Sequence, residues 1–194
     1  MNFFDTNSYF IDEKVNFFNF ENCYKVFNDN GDEIGSVRQR LTSGQKLLRV
    51  ILNKAMLPFK LEIRDIDNKL QATISRGWTF FMSEITIDDA DGNRIGTIKQ
   101  KFKFLKPTFK IFDTAQSLIG VITGDWKAWN FTIKGADDNQ IGTIDKKWAG
   151  AMKELFTTAD KYNVTINPEY TKDKAKIAII SSAITIDMVL KESK

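Results

Sequence analysis

A chain of 194 residues, 42% of them apolar, is long enough to bury a sizeable core and is read as one domain over residues 1–194. The net charge of +3 is too small to demand a nucleic acid or a bilayer as partner, so only the local placement of charge is informative. The chain has no His, which disfavours Ser-His-Asp and Cys-His catalysis and removes the commonest transition-metal ligand; a conventional hydrolase is not expected.

The chain opens on MNFFDTNSYFIDEKV. Asp5 and Asp12 stand where an export signal would be basic, and the apolar runs are too short for its hydrophobic region, so export is not expected. Cys23, the sole cysteine, cannot form an internal disulfide, in keeping with a reducing cytosolic compartment, and reads as a small buried hydrophobe.

From Tyr24 onward one unit recurs. NGDEIGSV (30–37), DGNRIGTI (91–98), AQSLIGVI (115–122) and DNQIGTI (138–144) each place turn formers before an Ile-Gly-x-Val/Ile run, and DNKLQATI (67–74) is a looser fifth copy. Alternating apolar residues precede the four close copies: Tyr24 and Val26, Ile85 and Ile87, Phe109 and Ile111, Phe131 and Ile133. Strand, tight turn and returning strand is the natural reading, since Asp, Asn and Gly supply the backbone angles of hairpin turns. The glycines at 35, 96, 120 and 142 predict curvature or the close approach of a packed object. None of them forms a Gly-x-Gly-x-x-Gly loop leading into a helix, so a dinucleotide site is not expected. Ten to twelve antiparallel strands without helical crossovers leave a barrel or a sandwich, and closure favours the barrel because it removes exposed edges.

Two basic groups follow these hairpins. Arg38 and Arg40 follow the first unit as Lys99 and Lys101 follow the second, and Lys103 extends the latter within RIGTIKQKFKFLKPTFK (94–110). Strand alternation places Lys99, Lys101 and Lys103 on one face and Ile98, Gln100, Phe102 and Phe104 on the other. The ridge reads either as a solvated strand or as a platform for phosphates of a lipid or nucleic acid. With the aromatics turned inward, base stacking is disfavoured, and lipid is preferred over nucleic acid. Trp78, Trp126, Trp129 and Trp148 fall near strand ends, where packing is the default and contact with a membrane interface the alternative. The carboxylates, among them Asp88, Asp89, Asp91, Asp137 and Asp138, sit in turn sequences that account for them without a catalytic dyad.

The last third, DNQIGTIDKKWAGAMKELFTTADKYNVTINPEYTKDKAKIAIISSAITIDMVL (138–190), resembles the C-terminal part of the phospholipid scramblase family. The resemblance is carried by the order of Ile141, Gly142, Ile144, Lys147, Trp148, Gly150, Phe156, Thr157, Ala159, Asp160, Tyr162, Pro168, Lys174, Ala175 and Asp187. It implies the fold of scramblase-like, tubby-like and LURP-one-related proteins: mainly β, a closed antiparallel barrel of about twelve strands around a central hydrophobic C-terminal helix, here at about 174–190. The Pro-rich extension and palmitoylated cysteines of the scramblases have no counterpart, so membrane contact is expected to be peripheral. The family's calcium segment corresponds to residues 158–173, where only Asp160 and Glu169 fit a calcium loop, too few oxygen ligands for a hard cation. No cofactor is expected.

The tail AKIAIISSAITIDMVL (175–190) tests that fold. Lys176 and Asp187 bracket ten uncharged residues, about 15 Å of helix against a hydrocarbon core of about 30 Å, so the segment does not span a bilayer unaided. Its polar face is too small for a surface helix, and an all-round apolar helix belongs inside a core. Its β-branched content leaves a strand open, and the resemblance decides for a helix. The functional expectation is a non-enzymatic, cytoplasmic barrel that binds anionic phospholipid headgroups peripherally at the inner membrane face, through Lys99, Lys101 and Lys103 with Arg38 and Arg40. The alternative is an intracellular structural or stress-related protein-interaction module with no lipid ligand.

Overall fold

A computed structural model describes residues 3–16, 21–42, 44, 57–78, 84–101, 107–125, 127, 129–146, 161–170 and 173–192. A 3-10 turn at Phe3–Asp5 leads into twelve strands: β1 (Ser8–Asn16), β2 (Glu21–Phe27), β3 (Glu33–Arg40), β4 (Phe59–Asp65), β5 (Leu70–Arg76), β6 (Glu84–Asp89), β7 (Arg94–Lys101), β8 (Thr108–Phe112), β9 (Leu118–Asp125), β10 (Asn130–Gly135), β11 (Gln140–Asp145) and β12 (Lys161–Ile166). Each strand pairs antiparallel with its sequence neighbours, and β1 pairs with β12 from Ser8 opposite Thr165 to Asp12 opposite Lys161, which closes the barrel. One helix, α1 (Asp173–Glu192), follows.

The recurring unit is a hairpin with one turn geometry used five times. In each, the first residue donates its N–H to the carbonyl four residues on and accepts from the N–H three residues on; Asp89 with Asn93 and Gly92 is one case. The fourth position is left-handed, with φ between 62° and 87° at Gly31, Asn68, Gly92, Gln116 and Asp138. The register shifts by one residue just before every such turn. This is the three-residue hairpin loop with a bulge. Asn28, Asp65, Asp89 and Asp113 cap it by accepting backbone N–H groups, and Asp137 serves where Gly135 holds the first position.

Alternation then fills the barrel. In β4, Phe59, Leu61 and Ile63 are buried inside while Lys60 faces out; the same period buries Ile85 and Ile87, Phe109 and Ile111, and Phe131 and Ile133. Along α1 every residue from Ala178 to Ile186 is at most 2% exposed, so the helix is enclosed on all sides. The tail is thus the axis of the barrel, and β5, β7, β8, β9 and β12 touch it. Two of its buried polar side chains turn back on the helix: Ser182 Oγ donates to Ala178 O and Thr185 Oγ1 to Ser181 O, both at 2.6 Å. The Tyr162 hydroxyl donates to Ile184 O at 2.9 Å.

All four strand glycines lie against a neighbouring strand, and two of them face α1 as well. A Cβ at Gly96 would meet the Phe112 carbonyl oxygen at 2.9 Å and the Ala178 Cβ at 3.4 Å, and one at Gly120 the Lys134 carbonyl oxygen at 3.2 Å and the Ile179 side chain at 3.4 Å, so these two are confined by a neighbouring strand and by α1 together. At Gly35 and Gly142 the obstacle is the neighbouring strand, through the carbonyl oxygens of Arg64 and Thr165. Cys23 is half-buried on the outer wall rather than buried in the core.

The barrel ends differ. The five hairpin turns, the 167–170 turn and the start of α1 share one end, where Lys176 Nζ donates to Asn7 Oδ1. The other connections leave from the opposite end, toward which α1 runs.

Candidate anionic-ligand surface

Alternation along β7 buries Ile98 and Gln100 and turns Lys99 outward with 45% of its side chain exposed. Lys99 Nζ donates to Gln116 Oε1 at 2.9 Å, lies 3.9 Å from Glu84 Oε2, and sits 5.0 Å from the Phe112 ring centroid. Register places Lys99 opposite Lys110 on β8, Lys110 opposite Val121 on β9, and Val121 opposite Lys134 on β10. Lys134 is paired with Asp138 at 2.9 Å, whereas Lys110 has no ion-pair partner among the described residues. Like charges directly opposite across strands destabilise a sheet, which makes the Lys99–Lys110 pair a place where an anion relieves repulsion. Lys101 ends β7 opposite Thr108. Lys103, with Phe102 and Phe104, lies outside the described residues.

The second basic group is separate from the first. β4, β5 and β6 stand between β3 and β7, roughly 19 Å around the wall at the usual strand spacing. Arg40 Nε donates to Glu62 Oε2 at 3.0 Å, and Arg64 Nε donates to the same oxygen at 2.9 Å. Partial burial works to raise the Glu62 pKa, but these hydrogen bonds and the two positive charges outweigh it and hold the carboxyl below its ordinary range. Arg38 is exposed opposite Cys23 and Glu62. Exposed Lys60, which the sequence reading passed over, lies opposite Arg40.

Lys110 and Lys134 were likewise outside the sequence-derived set. Lys110 was visible as part of a basic stretch, but its position beside Lys99 depends on the register in which β7 pairs with β8. Of the tryptophans, Trp78 is 54% exposed. Trp129 is half-buried, with its ring 5.4 Å from that of Tyr162 and Lys146 Nζ 5.1 Å above it. Trp126 and Trp148 lie outside the described residues.

Of the two calcium-segment acids, Asp160 lies outside the described residues and Glu169 is exposed on a turn. Among the described residues no three acids or cysteines converge as metal ligands. A cleft of about 290 Å³ at the turn end is lined by Leu118, Ile119, Ile141, Ala175, Tyr170 and Asp137. Burial, reinforced by Asp137, pushes the Tyr170 hydroxyl pKa up, so it remains a neutral donor at neutral pH. No helix among the described residues is long and apolar enough to cross a membrane.

A solved X-ray structure of an Arabidopsis thaliana protein superposes with a TM-score of 0.55 at 11% identity, over 92% of this chain and 88% of that one, which supports the tubby-like fold. By sequence, the chain is 23% identical to altered inheritance rate of mitochondria protein 25 of Saccharomyces cerevisiae, covering 76% of this chain and 53% of that protein. It is 21% identical to a phospholipid scramblase family protein of Schizosaccharomyces pombe, over 73% and 39% respectively. Human phospholipid scramblase 1 matches at 29%, over 58% of this chain and 37% of its own length. The chain therefore spans about half or less of the length of these relatives. The model of the Scramblase family matches residues 12–193, nearly the whole barrel and its axis, and on that match the chain belongs to the scramblase family.

Proposed function

We propose that this barrel binds anionic phospholipid headgroups at a membrane surface, peripherally and without chemistry or a cofactor, at the cytoplasmic face of the bilayer. The observation that carries the reading is the basic row of Lys99 and Lys110, opposed across β7 and β8, with Lys101 at the end of the same strand. Family membership supports the choice of phospholipid over other phosphate carriers. Each lysine near an anionic bilayer contributes about 1 kcal/mol. Arg38, and Lys103 by its place in the alternation, extend the surface, while Arg40 is already engaged by Glu62.

Vesicle cosedimentation tests it. Phosphatidylcholine vesicles containing phosphatidylserine should retain more protein than phosphatidylcholine alone. Retention should fall with added salt, since exposed charges are screened within about 10 Å at 0.1 M. Replacing Lys99, Lys101 and Lys110 together by Glu should abolish the difference. Equal retention on both vesicles, or none on either, would sink the reading in favour of a protein-interaction module.

A further inference from the structure

Resting on that reading, we infer that the barrel meets an anionic bilayer with the end opposite its hairpin turns, the end that carries Trp78, and points its turns away from the membrane.

Charge along the barrel axis is segregated. The six turn segments, 28–32, 65–69, 89–93, 113–117, 135–139 and 167–170, hold ten acids and a single basic residue, Lys69. Local chemistry explains why acids collect there: Asp side chains cap the turns, and the N-terminus of α1 enters at this end with its favourable dipole. Asp89 illustrates the balance. The little burial it has would raise its pKa, but hydrogen bonds from Asn93 and Asp91, with the charge of Lys174 at the start of α1, bring it below the ordinary range. An anionic surface repels this end.

The opposite end is not acidic in this way: among the described residues Glu84 and Asp125 are exposed there, but cations outnumber them. Arg40 ends β3 beside exposed Lys60, Lys101 ends β7, and Lys127 is exposed between β9 and β10. Trp78 follows β5 and leaves 54% of its surface in water. An exposed indole on an end that also carries cations matches the headgroup layer, where its apolar ring and polar N–H are both accommodated. Lys99 and Lys101, in the last turns of the alternation along β7, stand nearer this end than the turn end, so both features engage the same surface in one orientation. Charge complementarity selects the bilayer as occupant.

The test places a reporter at each end. In a Cys23→Ser background, Gly77→Cys and Asp91→Cys carry an environment-sensitive fluorophore. Gly77 has nothing within 4 Å of an added Cβ, and Asp91 is exposed. On phosphatidylcholine vesicles containing phosphatidylserine, the label at 77 should shift to the blue and be quenched by brominated lipid, and the label at 91 should do neither. Lys60→Gln should weaken binding about fivefold, whereas Asp67→Asn at the turn end should not weaken it. Quenching at 91, or at neither position in vesicle-bound protein, overturns the orientation and leaves lipid binding standing. Absence of vesicle binding by the unlabelled protein overturns both. A shift at 77 that follows protein concentration without lipid assigns the end to a second copy of the chain and overturns the inference.

Discussion

At Glu62 two guanidinium groups, Arg40 and Arg64, meet one carboxylate oxygen on the outer wall. Because the folded pKa lies below the unfolded one, the stability this group contributes is complete above the unfolded carboxylate range. It is lost as pH falls through the lowered folded value. Glu62→Gln should therefore cost stability in urea unfolding at neutral pH and cost progressively less as pH falls below the ordinary carboxylate range; a loss that does not change with pH would mean that the charge is irrelevant. The same scale explains what sequence could and could not disclose about the site. Lys99 is legible by alternation alone, since Ile98 and Gln100 beside it must turn inward. Its neighbour Lys110 is eleven positions along the chain, and only the pairing of β7 with β8 makes the two adjacent.

Among the elements, the hairpins were legible because their turn chemistry is local: Asp or Asn to cap, and a left-handed fourth residue. The reason for the glycines was not local. A Cβ at Gly142 would clash with the Thr165 carbonyl, whereas one at Gly120 would lie 3.2 Å from the Lys134 carbonyl oxygen and 3.4 Å from the Ile179 side chain, which can adjust. Gly142→Ala should thus cost about 1–3 kcal/mol in urea unfolding. Gly120→Ala should cost less than about 1 kcal/mol, partly offset by a stiffer unfolded chain; equal costs would contradict the distinction. Ala72, fully buried at the equivalent place in the fifth copy, is the natural precedent for a methyl group there. Within α1, Ile180→Asp buries an unpaired carboxylate at a position with no exposure and should unfold the protein, a loss above about 4 kcal/mol. Ser181 Oγ is buried without a partner, so Ser181→Ala should raise stability by about 1 kcal/mol. A soluble, folded Ile180→Asp protein would show that the helix is not the core.

For the whole molecule, closure and the enclosed helix followed from repeat count and tail composition together with the family resemblance, but the polarity of the barrel did not. A net charge of +3 conceals an acidic end and a basic remainder, because the turns are dispersed through the sequence and gathered only by the fold. That polarity should appear as binding to anionic vesicles that declines with salt while the orientation of bound molecules is unchanged.

The seam between β1 and β12 sets the order of events during synthesis. Asn7 and Lys176, which meet at the seam end, are separated by 169 positions, and α1 is translated after all twelve strands. A ribosome that has released β1 to β11 therefore holds a curved, isoleucine-rich sheet with two open edges and no axis. Such a sheet is prone to pair with a neighbouring chain, and its long-range contacts make folding slow. Closure of the barrel around its core therefore waits on α1, and until that helix emerges the nascent sheet is exposed to misassembly.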